Sequence, residues 1–210
     1  MNLYSSCYRT IDGRSLAVGR PREFDIDKAI RTATELFWRK GYEGTSLTDL
    51  TNAMGITPPS FYFAFDNKEG LFKKVLAHYQ ATHFRYFEKA LKEPTARAVA
   101  KRLLYGFADG HTSSANPAGC LAINCAMPAV GSSDPIRREL TQIRQAGRVE
   151  LAKRFKKAKT SGDLPADTDP EGLARFIMTI GWGMAVDAQT GASRKELHRV
   201  VETALRALPN

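Results

Sequence analysis

Hydroxyl-bearing side chains recur from Ser46 through Thr48, Thr57 and Ser60 to Tyr62, and Lys68 closes the series. Hydroxyls and an ammonium hydrogen-bond well to phosphate and base edges, but a hydroxyl becomes a nucleophile only beside an activating base. The sequence shows no activated nucleophile, no glycine-rich phosphate loop and no metal-ligand set. His78, His83 and His111 make no metal-binding spacing with any cysteine. Cys120 and Cys125 are five positions apart, about 140° around a helix, so a disulfide between them needs unwinding. They read as small buried hydrophobes, with a thiol sensor as the alternative. The chemistry on offer is recognition rather than turnover.

Such groups need a scaffold that exposes them, and the hydrophobic pattern supplies one. From Asp25, Ile26, Ala29, Ile30, Ala33, Leu36 and Phe37 share a helical face that Gly41 ends. Thr45 or Ser46 caps a short helix, with Ser46 and Asp49 at capping-box spacing. Leu47, Leu50 and Met54 point inward, and Gly55 stops it. Thr57 caps a third helix with Pro58 in its first turn, and Phe61 and Phe65 face the core. Leu50, Met54, Ile56 and Phe61 fill the angle between two short helices across the Gly55 turn, which is a helix-turn-helix. Its second helix fits a DNA major groove end-on.

Asp66 or Asn67 then caps a long helix running to Leu91. Helical pattern resumes over residues 95–110, 119–130, 135–160, 170–190 and 193–208. This predicts an all-α chain of about nine helices, divided into an N-terminal tail (1–17), a helix-turn-helix domain (18–80, motif about 45–64) and a C-terminal domain (81–210). The tail reads as disordered, or as an over-extended start with translation beginning near Val18. Composition is close to the globular average, at 43% hydrophobic and 25% charged residues, which excludes disorder throughout. No apolar run is long enough for a membrane span, and three scattered cysteines point to a reducing cytoplasm.

The net charge of +9 is concentrated. Residues 137–160 carry nine basic and two acidic side chains, whereas residues 18–80 carry nine and eight. DNA binding by the N-terminal part must therefore rest on geometry rather than bulk charge. The basic helix reads as a solvated face, with attraction of an acidic ligand or flanking DNA as the alternative.

The run from Gly41 to Gly55, continued by Ser60-Phe-Tyr-Phe-Ala-Phe-Asp-Asn-Lys-Glu-Gly-Leu-Phe72, resembles the N-terminal domain of the tetracycline-repressor (TetR) family of bacterial transcription regulators. The resemblance covers about residues 22–80. It implies a two-domain, all-α homodimer that reads a pseudo-palindromic double-stranded DNA operator and binds a small-molecule effector, without cofactor, metal or membrane. It places Ser46 and Thr48 on phosphate at a helix start. Thr57, Pro58, Pro59 and Ser60 lie at the exposed start of the recognition helix. Tyr62 and Lys68 become phosphate contacts, and Arg20 and Arg22 a basic arm on the minor groove or backbone. Three positions depart from the family pattern. Phe63 and Ala64 stand where a polar aromatic and a histidine are common, removing one or two phosphate contacts, and Thr51 replaces an alanine. With so little net charge, non-specific affinity is expected to be weak and its salt dependence shallow.

The C-terminal resemblance is weaker. The segment Gly119 to Met127 looks like a helix that lines the family's ligand cavity. Pocket candidates are Phe87, Phe107, Cys120, Asn124, Met127 and Trp182. The last two helices are expected to pair subunits in a four-helix bundle through Ile177, Gly181, Met184, Ala188, Leu197, Val201, Ala204 and Leu208, or else simply to close the monomer core. The function expected is a ligand-released repressor. A redox regulator using Cys120 or Cys125 and an all-α enzyme are the alternatives.

Overall fold

The structure is a computed structural model that describes residues 25–126 and 134–209. Arg20, Arg22, the expected tail and Met127 lie outside the described residues. Ten helices and no strand occur among those described: α1 (Ile26–Lys40), α2 (Leu47–Met54), α3 (Pro58–Phe65), α4 (Lys68–His83), α5 (Arg85–Leu91), α6 (Ala96–His111), α7 (Leu121–Asn124), α8 (Asp134–Thr160), α9 (Pro170–Gln189) and α10 (Arg194–Arg206).

Local chemistry sets most boundaries. Asp25 caps α1 by accepting the Lys28 N–H at 2.9 Å. Ser46 and Asp49 form the full capping box of α2, and Gly55 ends that helix at φ 67°, where a side chain would be strained. Asn67, not Asp66, caps α4, accepting the Gly70 N–H at 2.8 Å. Asp66 instead takes the left-handed turn between α3 and α4, with φ 65°. Thr57 stands at the N-cap of α3 but makes no capping bond; its hydroxyl meets that of Ser60 at 3.0 Å. Pro58 and Pro59 lack N–H groups, so this helix start has fewer donors to satisfy.

The tenth helix comes from a break at Phe84, where one continuous helix to Leu91 was expected. The apolar period runs through the break unaltered. Phe84 stacks on Phe87 and also reaches Tyr79 and Phe107, and the bend lets α5 lie along α6.

Two hydrophobic clusters fill the interior. The first surrounds Phe37, Leu50, Phe61, Phe65, Leu71 and Phe72 and recruits Leu121, Ile123, Ile136, Leu140 and Ala185 from α7, α8 and α9. The second joins α5, α6, the far half of α8, α9 and α10 around Leu103, Leu104, Phe107, Leu151 and Phe155. The clusters meet across α7, the start of α8 and the end of α9, so the N-terminal helices do not close a core of their own.

The residues expected to pair subunits are placed differently. Ile177, Gly181, Met184, Ala188, Leu197, Val201, Ala204 and Leu208 are all buried inside the monomer. α10 lays its one strongly apolar face against α6, and α9 is sandwiched against α6 and α8, so these faces close the monomer's core. The close approach at Gly181 is intramolecular: an added Cβ would lie 2.6 Å from the Phe107 ring. What α9 and α10 leave exposed is a second apolar strip, with Phe176 and Val200 each about 40% exposed beside Ile180, and Val186 equally exposed further along α9.

Candidate nucleic-acid interface and interior cavity

α3 is amphipathic in an unusual way. Phe61 and Phe65 are anchored in the core, while Thr57, Pro58, Pro59, Ser60, Tyr62 and Phe63 all face solvent. Phe63 is 95% exposed. Phe63 adjoins Tyr62, Pro58 and Pro59, also exposed, so the solvent side of α3 offers a run of apolar surface that a partner can remove from water. The same face carries the free edge of Tyr62, half exposed, and the Ser60 hydroxyl.

The expected phosphate contacts do not stand equally. Ser46 donates its hydroxyl to Asp49 at 2.8 Å and accepts the Asp49 N–H at 3.0 Å, so it is already engaged. Asp49 pairs with Lys40 at 2.9 Å, and hydrogen bonds from Lys40 and Ser46 hold its carboxyl well below the usual range. A carboxylate thus sits at the α2 start, where a phosphate was expected beside Ser46. Thr48 is exposed two positions on, in the first turn of α2. The Lys68 ammonium rests over the Tyr42 ring, 4.2 Å from its centroid. Burial lowers its pKa, and the nearby Glu43 carboxylate partly restores it. Burial, Glu69 and Glu43 push the Tyr42 phenol up to about 12.

In the C-terminal helices a cavity of about 650 Å³ opens between α4, α5, α6, α7, α8 and α9. Tyr79, Phe84, Phe87, Phe107, Ile123, Met178 and Trp182 make its apolar wall. Polar groups are few: Gln80, Glu88, His111, Cys120, Gln142, Arg144 and Glu150. That size and mixture suit a small organic molecule. Of the expected pocket residues, Phe87, Phe107, Cys120 and Trp182 line it. Asn124 does not; its side chain turns away and donates to the Trp38 carbonyl of α1 at 2.7 Å. The sequence read Asn124 as polar within an apolar helix, but not that α7 packs on α1.

His111 and Arg144 were not among the expected pocket residues. His111 is buried, with Nδ1 3.2 Å from the Gly119 carbonyl and Nε2 3.2 Å from that of Gly181. Burial lowers its pKa, against the opposing pull of the two carbonyls. Arg144 was hidden in the basic run, although it stands beside Ile143 and three positions before Gly147, both on the apolar stripe of α8. The Cys120 thiol accepts from the Tyr79 hydroxyl at 3.4 Å, and Cys125 donates toward the Phe37 carbonyl at 3.5 Å. Both cysteines are free, and burial raises both thiols, Cys125 to about 12. Neither has the thiolate character of a redox sensor.

An exposed recognition helix on a helix-turn-helix, joined through α7 to an apolar cavity in an all-α body, defines a DNA-binding transcription regulator. The chain belongs to the tetracycline-repressor family: it matches the bacterial regulatory proteins of the tetR family over residues 29–75 and the tetracyclin repressor-like C-terminal domain over residues 98–204. It is 35% identical to the HTH-type transcriptional repressor ComR of Escherichia coli (strain K12), over 91% of this chain and 92% of that protein. Among solved structures it resembles the TetR family regulator CifR, a cysteine mutant complexed with 26-bp double-strand operator DNA. The two share 43% identity at a TM-score of 0.86, over 90% of this chain and 100% of that one. A regulator from Rhodococcus sp. RHA1 is similar at 42% identity and a TM-score of 0.61, over 87% and 98%.

Proposed function

We propose that this protein is a cytoplasmic, non-enzymatic homodimeric repressor whose α3 helices read two half-sites of an operator, and that a small molecule in the 650 Å³ cavity releases it. The observation that carries the reading is the exposed face of α3, where Thr57, Pro58, Pro59, Ser60, Tyr62 and Phe63 stand clear of the core. Thr48 and Lys68 flank that face and hold the phosphate backbone; Arg20 and Arg22 extend the contact as an arm. The Phe63 ring and the two prolines read shape or a thymine methyl.

Release works through α7. Cys120, Ala122 and Ile123 line the cavity, while Asn124 and Cys125 bond the last turn of α1. A ligand that favours one position of α7 thereby biases the orientation of the DNA-reading helices and shifts the population off the operator. The exposed strip of Phe176, Ile180, Val186 and Val200 pairs two copies, setting the distance between their α3 helices.

The test is a gel-shift and footprint on the DNA upstream of the protein's own gene. A protected pseudo-palindrome, lost in Tyr62→Ala with folding intact, is the expected result. Sequence-independent binding, or protection unchanged in Tyr62→Ala, Phe63→Ala and Lys68→Ala together, overturns it.

A further inference from the structure

The cavity carries one cation for which the described residues supply no countercharge. Arg144 is half-buried in the cavity wall, and among the described residues its guanidinium donates to the Thr141 hydroxyl of its own helix, at 3.2 Å. No carboxylate pairs with it among the described residues. Two other half-buried cations of α8 are satisfied, and Arg148 lies outside this cavity. Arg154 donates to the carbonyls of Leu91, Glu93 and Pro94, and Lys159 donates to that of Thr168. A guanidinium has five donors in a planar fork that matches a carboxylate, so one left facing an apolar chamber is a receptor for such a group.

The cavity's own carboxylates do not fill that role. Glu88 and Glu150 are exposed at its edge, and Glu150 pairs with Lys153 at 2.8 Å. The Arg144 charge is also felt at the buried Cys120 thiol, whose pKa it lowers against the larger effect of burial. A neutral or cationic ligand leaves Arg144 desolvated and unpaired, which is costly.

We infer that the ligand of this cavity is an organic anion, an aromatic or medium-chain carboxylate, whose charge is bound by Arg144 and whose body packs on Phe87, Phe107 and Trp182. This rests on the reading of the cavity as the effector site and adds the ligand's chemical class. The cavity sets the size limit, since 650 Å³ holds a molecule of small-drug size.

Three probes with one body and different charge test it: 4-phenylbutyrate, its amide and 4-phenylbutylamine, with octanoate as an aliphatic carboxylate. Binding to the full chain is followed by calorimetry and by the fluorescence of Trp182, in a Trp38→Phe background. A carboxylate is expected to bind on the order of 10- to 100-fold tighter than the amide, and the amine weakest. Arg144→Gln brings carboxylate and amide to similar affinity without weakening the amide; Arg144→Lys keeps much of the preference. Equal or tighter binding of the amide or amine overturns the inference. So does a carboxylate preference that survives in Arg144→Gln, or a failure of both carboxylates to bind. Operator release is measured in the same samples. A carboxylate that binds through Arg144 without releasing DNA upholds the ligand class and refutes the effector role. Release by a neutral or cationic occupant does the reverse.

Discussion

The side-chain amide of Asn124 donates to the main-chain carbonyl of Trp38 at 2.7 Å, joining α7 to the last turn of α1 across 86 positions of sequence. Among the described residues two neighbouring buried groups find no partner: the Asn124 side-chain oxygen and the Trp38 indole N–H. Each carries a desolvation cost of about 1–3 kcal/mol. The joint is held by this bond and the weaker one from the Cys125 thiol to the Phe37 carbonyl, beside two polar groups without a partner among the described residues, which makes it easy to rearrange. Asn124→Ala is expected to lower stability by about 1 kcal/mol and to speed amide exchange at the end of α1. Exchange unchanged from Phe37 to Tyr42 would remove α7 from the coupling route.

The exposed face of α3 predicts a separation of binding from folding. Tyr62→Ala and Phe63→Ala remove side chains that face solvent, so unfolding free energy should change by no more than about 0.5 kcal/mol. Operator affinity should fall by about tenfold for each, the equivalent of one lost contact. Lys68→Ala differs, because it also strips the ammonium from the Tyr42 ring and costs about 0.5–1 kcal/mol of stability. Urea titrations beside gel-shifts read both quantities.

Two glycines of α9, two positions apart, should behave oppositely. Gly181→Ala drives a methyl to 2.6 Å from the Phe107 ring and is expected to destabilise by about 1–3 kcal/mol. Gly183 faces open space, and Gly183→Ala should gain up to about 1 kcal/mol from helix propensity. On the outer face, Phe176→Asp with Val200→Asp should leave the monomer folded but halve the mass seen by light scattering. Operator affinity should then drop by on the order of 100-fold, as the second half-site is lost. A double variant that stays dimeric moves the subunit contact elsewhere.

Acid should act through His111. Burial lowers its pKa in the folded chain, so the unfolded chain binds the proton first. Stability contributed by the neutral ring is complete above the unfolded pKa of about 6.5 and is lost as pH falls below it. His111→Gln, which keeps amide N–H donors for the carbonyls but takes up no proton, should flatten the thermal-melting profile between about pH 7 and 5 relative to the natural chain. A wild-type profile already flat there would mean that the two carbonyls outweigh burial.

The helix-turn-helix was legible because its determinants are local: a capping box, a glycine turn and a helical apolar period. The cap of α3 was misread because the Thr57 hydroxyl meets the Ser60 hydroxyl rather than the N–H of the helix's third residue. The break at Phe84 has no local mark; it follows from one ring packing against both hydrophobic clusters. The faces of α9 and α10 were assigned to a second subunit because periodicity marks an apolar face without saying whether the chain's own α6 or another copy covers it. Arg144 was concealed by its neighbours: a cation within a run of cations looks solvated until the fold turns it inward.

Because Leu121, Ile123, Ile136, Leu140 and Ala185 complete the core behind α1 and α4, the DNA-reading helices are not a detachable cassette. Grafting residues up to about 80 onto another sensor would strip them of their inner wall. A chimaera that works must carry α7 and the first turns of α8 along with them, and inheritance by recombination meets the same constraint.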